Sequence, residues 1–115
     1  MKSLILALVL AFPCVAAMDV PVYPRALLDA GLTGMARQSS AAHPEVVVYI
    51  TPDAFDKVDE FYKKKGGSDV PKSRKITSNA KVVILQFPGR TFAVQLSWVA
   101  ANKKAGTVIQ YFQKQ

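Results

Sequence analysis

The sequence predicts a single α+β domain in which an antiparallel sheet of about four or five strands carries one amphipathic helix. Two observations support this prediction. A run rich in β-branched residues at 45–50 is followed directly by a helical pattern at 51–65, and three alternating apolar segments occupy 81–113. Short turns between alternating segments are typical of antiparallel hairpins, so the last three strands should form a meander.

The N-terminus has the pattern of a secretory signal peptide. Lys2 precedes an apolar run at 4–12, and small residues follow at 15–17. The run is shorter than the roughly 20 residues that a permanent transmembrane helix needs, and the order basic, apolar, small is typical of a cleaved leader. We therefore expect a signal peptide at 1–17 and one domain at 18–115, located in the periplasm or secreted.

Cys14 is the one cysteine of the chain and lies inside the predicted leader. A lipoprotein signal places a small residue before the lipidated cysteine, whereas Pro13 stands there, so we do not expect a lipoprotein. Cleavage after Ala17 would remove Cys14. The mature domain would then have no disulfide, no thiolate nucleophile and no cysteine metal ligand.

The charge of the chain is basic, with 15 lysines and arginines against 8 acidic residues and a formal net charge of +7. A basic exported domain is attracted to anionic phospholipids, lipopolysaccharide and cell-wall polymers, and export argues against nucleic acid as a partner. The expected partner is an anionic envelope surface or a protein. The alternative is that the excess of lysine only keeps the protein soluble.

The segment between the leader and the helical pattern gives the weaker local signals. Residues 19–25 carry two prolines and should be extended. We expect one helical turn at 26–30, a strand at 32–39 and a loop at 39–44. The β-branched residues at 45–50 then predict a strand.

Residues 51–65 carry the local signals of an amphipathic helix. Thr51 is a suitable N-cap, Pro52 fits the first helical position and Gly66 ends the helix. The apolar side chains recur at helical spacing and share one face: Phe55, Val58, Phe61 and Tyr62. The opposite face carries acid-before-base pairs four residues apart: Asp53–Lys57, Asp59–Lys63 and Glu60–Lys64.

Three C-terminal strands are predicted at 81–87, 91–99 and 107–113. The middle strand alternates and puts Phe92, Val94, Leu96 and Trp98 on one face. The strand at 81–87 is apolar on both faces, and the helix can cover only one of them. Either a wrapping N-terminal segment or a second copy of the chain covers the other, which leaves a monomer and a homodimer open. The segment would wrap with Val22, Tyr23, Leu27 and Leu28.

No constellation of residues commits the chain to catalysis, a cofactor or a metal. His43 is the one histidine and has no partner residue nearby that could make it a base or a ligand. Ser78 and Lys81 match the Ser-x-x-Lys spacing of penicillin-recognising enzymes, but that motif needs a helix and this one falls before a strand. Asp56 and Glu60 lie on the solvent face of the helix, whereas glycosidase carboxylates face each other across a cleft.

The densest cluster of charge follows the predicted helix. If the loop at 67–79 folds back over the helix end, its cations join those of the last helical turn in one patch for an anionic partner. The candidate residues are Lys63, Lys64, Lys65, Lys72, Arg74 and Lys75.

Three short motifs give the chain a family resemblance. In these motifs the chain resembles a recurrent type of small exported bacterial protein. The motifs are a Tyr-Pro pair at Tyr23-Pro24, a Thr-x-Asp sequence at 51–53 and a Phe-Tyr-Lys sequence at 61–63. The resemblance covers most of the predicted domain, implies an α+β fold and supplies no catalytic residue. We expect an exported, non-catalytic binding or accessory module. The alternatives are a carrier with an apolar pocket between helix and sheet and, third, an enzyme.

Overall fold

The computed structural model of the protein describes residues 21–39, 45–101 and 106–113. The predicted signal peptide and His43 lie outside these ranges. The described part contains two helices and seven strands, in the order β1 Leu27–Leu28, α1 Ala30–Ser39, β2 Val47–Thr51, α2 Phe55–Lys64, β3 Ser68–Asp69, β4 Lys75–Ile76, β5 Ala80–Gln86, β6 Phe92–Val99 and β7 Thr107–Gln113. Neither of these helices is long and apolar enough to cross a membrane.

The strands form one antiparallel sheet in the order β1-β2-β7-β6-β5, and β3 and β4 both pair with the outer side of β5. The α+β class and the C-terminal meander of β5, β6 and β7 are therefore confirmed. The sheet has more strands than predicted. The additional strands β1, β3 and β4 are two residues long, and they form because a longer strand offers its edge to them.

One face of the sheet, the helix face, is packed against α2. The register places Tyr49, Ile109, Leu96 and Val83 in one row and Val47, Tyr111, Val94 and Leu85 in the next. Phe55, Val58 and Tyr62 of α2 complete this cluster and are almost fully buried. The alternation predicted for β6 is confirmed, because Phe92, Val94 and Leu96 are buried and Trp98 packs against the cluster.

Helix α2 begins at Phe55, later than the sequence predicted, and its N-cap is Ala54. Strand β2 continues through Thr51, whose hydroxyl accepts a hydrogen bond from the Asp53 main-chain N–H at 3.3 Å. The carbonyl of Asp53 in turn accepts a 2.7 Å bond from the hydroxyl of Thr107. The predicted N-cap role of Thr51 is wrong because contact with β7 keeps residues 51–53 out of the helix.

The segment before β2 also differs from the prediction. A strand and then a helix replace the expected helical turn at 26–30 and strand at 32–39. Helix α1 lies at the part of the β2 edge that β1 does not pair with. There the hydroxyl of Thr33 accepts a hydrogen bond from the Val48 N–H at 2.9 Å and lies 3.4 Å from the Val48 carbonyl. Arg37 Nε donates to the Val46 carbonyl at 2.8 Å. Side chains of α1 thus satisfy the groups that a further strand would bind.

The N-terminal segment does not cover the second face of the sheet as the wrapping arrangement required. Tyr23 is buried, but it packs with α2 on the helix face. Leu27 and Leu28 leave 69% and 57% of their surface exposed, and Val22 is exposed as well. The wrap is wrong because the ring of Tyr23 fits beside Phe61 and leads the segment to the helix face.

Candidate functional site

The predicted cationic cluster is divided by two carboxylates. Arg74 binds Asp69 through its Nε at 2.7 Å and Asp59 through its Nη2 at 3.0 Å, and Lys63 Nζ lies 3.2 Å from Asp69. The hydrogen bond from Arg74 holds the pKa of Asp69 at about 2, and the same contact raises the pKa of Arg74. These two cations therefore fasten the loop after α2 to the helix.

The other four residues of the cluster keep their side chains exposed. Lys64 lies 3.8 Å from Glu60, and both of these side chains are largely in solvent. Lys65 lies over the Phe61 ring at 5.5 Å from its centroid. Within the described ranges, Lys72 and Lys75 have no ion pair. All four side chains are therefore exposed, and Lys65, Lys72 and Lys75 lie outside any ion pair of the described residues.

Three turns of one kind shape the surface around these cations. Each has proline at its second position, a residue with positive φ at its third, and a hydrogen bond from the fourth N–H to the first carbonyl, which is the type II geometry. The turns are Tyr23–Ala26, Val70–Ser73 and Phe87–Arg90. Glycine is the favoured residue at the third position because it adopts positive φ without strain.

Only one of the three turns has that glycine. Gly89 occupies the third position with a φ of 79°, whereas Arg25 and Lys72 occupy it with φ values of 64° and 65°. They are the non-glycine residues with positive φ in the described chain. A side chain in this conformation costs roughly 1–2 kcal/mol. Both side chains are exposed, so no ion pair among the described residues offsets this cost.

The turn that contains Arg25 borders a surface cavity of about 300 Å³. Tyr23 and Phe61 line it, with their ring centroids 5.0 Å apart in an edge-to-face arrangement. Of its other cations, Lys57 lies 3.8 Å from Asp53, and Lys64 lies 3.8 Å from Glu60. Arg25 is therefore the unpaired cation of this cavity, within the chain as described.

The residues of the family-like motifs meet beneath this cavity. The hydroxyl of Tyr23 donates to Asp53 at 2.5 Å, and its ring contacts Phe61. The hydroxyls of Tyr62 and Tyr111 bind each other inside the core, and the Tyr111 hydroxyl lies 3.4 Å from the Pro21 carbonyl of the N-terminal segment. Burial raises the pKa of Tyr23 and of Tyr111 to about 12 and raises that of Tyr62 further. The motifs thus dock the N-terminal segment on the helix.

Two of the chemical arrangements considered from the sequence can be compared with the described residues. They contain no group of three or more histidine, cysteine or acidic residues that could hold a metal ion. Ser78 is exposed, and Lys81 is turned toward Asp56 at 3.9 Å and toward the Trp98 ring at 5.4 Å from its centroid. Because Ser78 and Lys81 lie in no helix, they lack the setting that the Ser-x-x-Lys motif requires.

Comparison with protein-family models, with curated proteins and with solved structures gave no match. Sequence reasoning missed Arg25, which lies far along the chain from the predicted cluster. The dipeptides Pro24-Arg25 and Pro71-Lys72 were visible as turn signals, but the sequence does not show that the residue after proline has positive φ.

Proposed function

We propose that the protein is an exported, non-catalytic binding module that attaches to an anionic surface of the cell envelope. The observation that carries this proposal is the placement of Arg25 and Lys72, two exposed cations at turn positions that favour glycine. Lys64, Lys65 and Lys75 supply further positive charge. The net charge of +7 attracts the whole molecule to such a surface.

Arg25 and Lys72 strain the backbone of their turns, and no ion pair of the described residues compensates for that strain. Glycine would hold either turn without the strain of a left-handed side chain, as Gly89 does in the third turn. A cation that is kept at such a position despite the strain favours a role in binding over a role in folding. An anionic headgroup or polymer is the partner that would interact with an exposed guanidinium and ammonium group.

The carrier alternative has less support from the geometry. Phe55, Val58 and Tyr62 fill the space between α2 and the sheet and are at most 2% exposed. Three surface cavities that border the described residues each have a charged side chain in their walls, among them Arg90, Lys57 and, in the cavity of about 370 Å³ beside α1, Arg37. An apolar ligand would gain little in such cavities, because their polar groups would lose water on binding.

A vesicle experiment tests the proposal. The protein is expressed with its own N-terminal segment and recovered from the periplasm with a mature N-terminus near Met18. It is then sedimented with vesicles that contain phosphatidylglycerol. We expect binding at low ionic strength that weakens as salt is added, because salt screens exposed charges. The double variant Arg25→Gly, Lys72→Gly should weaken binding severalfold without lowering the free energy of unfolding.

A matched double variant separates these two positions from net charge. Lys57→Gln together with Lys63→Gln removes the same two charges, but from side chains that already pair with Asp53 and Asp69. It should weaken vesicle binding less than the turn variant does. Equal loss in both variants, or no binding of the intact protein at low ionic strength, would contradict the proposed site. Recovery of the protein only from the cytoplasm would contradict export.

A further inference from the structure

The second face of the sheet carries no charge on its four long strands, and we name it the uncharged face. Its central row, read across the register, is Val48, Gln110, Gln95 and Ile84. The row beside it is Leu27, Ile50, Val108, Ser97 and Val82, and it ends at Lys75 of the short strand β4. One fifth of the residues in this chain are charged, so a neutral surface of this extent needs an explanation.

Val48 at the β2 end of this face is buried, but the described helices leave the rest of the face without a covering layer. Helix α2 packs on the opposite side, and α1 contacts the sheet mainly at β2. Ile84, Val82 and Val108 are half-buried rather than buried. At the margins of the face, Leu27 is 69% exposed and Val99 is 49% exposed. Partly exposed apolar side chains that surround a neutral centre in this way are typical of an interface.

We propose that the uncharged face packs against the same face of a second copy of this chain. The charge pattern favours this occupant. Two strongly basic molecules repel one another unless they meet through a surface poor in cations, and the four long strands provide one on this face. On this face an anionic partner would find only Lys75, at the β4 margin, among the described strands.

The glutamines on this face suit a twofold axis. Gln95 and Gln110 lie opposite each other in the register, at the centre of the sheet. A primary amide both donates and accepts hydrogen bonds, so it can pair with an identical amide from a second copy. In a twofold dimer each surface meets itself, and a central pair of amides is complementary to its own image.

The size of the face is compatible with a dimer of modest stability. Strands lie about 4.8 Å apart and rise about 3.3 Å per residue, so four strands of about seven residues present on the order of 450 Å². Two copies would bury about 900 Å², near the lower limit of about 1,000 Å² for a specific interface. Leu27 and Val99 extend it. The dimer should therefore dissociate on dilution.

Sedimentation equilibrium across a range of protein concentrations tests this proposal. We expect the periplasmic protein to be a dimer that dissociates as it is diluted. Gln95→Lys together with Gln110→Lys places four cations at the centre of the dimer and should leave only monomer. Gln38→Lys adds the same kind of charge to an exposed position of α1 and should leave the dimer intact. Circular dichroism establishes that each variant is folded.

Cross-linking gives a second measurement that does not depend on a destabilising variant. Facing sheets lie about 10 Å apart, so a short bismaleimide should join two copies of Gln110→Cys in a chain that also carries Cys14→Ser. The control Gln38→Cys should remain uncross-linked. An intact protein that stays monomeric at all concentrations overturns the proposal. So does a dimer that survives the double lysine variant, since its interface would then lie elsewhere. Neither result bears on vesicle binding by Arg25 and Lys72.

Discussion

The two faces of the sheet have the same backbone and opposite surroundings. On the helix face, rings and branched side chains from four strands pack under α2, and Val83, Leu85 and Leu96 are fully buried. The ion pairs of α2 with its neighbours lie on that side as well, because Asp69 and Lys81 project toward the helix. The uncharged face carries apolar side chains that remain half-exposed and glutamines in place of ions.

The ion-paired side chains of the sheet and of the loop after α2 lie on the same side of the sheet as that helix. Arg74 and Lys63 both bind the carboxylate of Asp69, and the ammonium group of Lys81 lies over the Phe55 and Trp98 rings. Long cationic side chains cover the margin of the packed layer with their methylene groups while their charged ends reach water or an acid. On the uncharged face, Lys75 of β4 is the cation that the register of the described strands places at the margin, and the four long strands remain suited to a neutral partner.

The largest expected contrast comes from two adjacent residues of β5. Leu85 is fully buried on the helix face, and Leu85→Ala should lower the free energy of unfolding by about 2–5 kcal/mol because it leaves a cavity. Ile84 points to the uncharged face, and Ile84→Ala should cost about 1 kcal/mol at low protein concentration. Urea denaturation measures both. Equal costs at high dilution would show that the faces are equally packed in the monomer.

An intermediate effect is expected at the two edges of the sheet. The hydroxyl of Ser73 accepts a hydrogen bond from the Ile84 N–H at 3.1 Å and donates one to the Ile84 carbonyl at 3.2 Å. The hydroxyl of Thr33 contacts the N–H and the carbonyl of Val48 in the same way. Thr33→Val and Ser73→Ala should each cost about 1–3 kcal/mol, because a strand N–H loses its partner. Faster amide hydrogen exchange at Val48 and at Ile84, respectively, would accompany the loss. Unchanged exchange would contradict the role of these hydroxyls.

The smallest expected effect is a pH dependence of the loop on the helix side. The pKa of Asp69 is about 2 in the folded protein, against about 3.9 in an unfolded chain. A lowered folded-state pKa contributes stability above about pH 4 that is lost as the pH falls toward 2. The stability difference between the intact protein and Arg74→Gln should therefore be larger at pH 6 than at pH 2.5. Since Asp69 is about one-third exposed, solvent screening keeps this change small. A constant difference would contradict the pairing.

The elements that the sequence predicted are those whose local pattern and tertiary environment agree. The meander and the body of α2 follow from alternation and from helical spacing, and the packing of Phe55 and Val58 reinforces that spacing. The first half of the chain was predicted less well. Helix α1 contains Gly31, Gly34 and Thr33, which are poor helix formers, so contact with the β2 edge determines its conformation.

The candidate site was predicted in part for a similar reason. Sequence proximity grouped six cations, but only their distances to carboxylates show that Lys63 and Arg74 are occupied in ion pairs. Arg25 was not grouped with them, because its relation to Lys64 exists only once the N-terminal turn docks beside the helix. Charge in a sequence therefore indicates an interaction class, whereas pairing determines which charges remain available.

By itself, the sequence determined the α+β class, the amphipathic face of α2, the antiparallel order of the last three strands and the basic character of the surface. These properties depend on residue type and on short spacing, which are local. Tertiary structure alone decided where the N-terminal segment lies, which cations are paired and which face of the sheet stays uncovered by the described helices. These depend on contacts between residues far apart in the chain, such as Tyr23 with Asp53 and Thr33 with Val48, and no local pattern specifies such contacts.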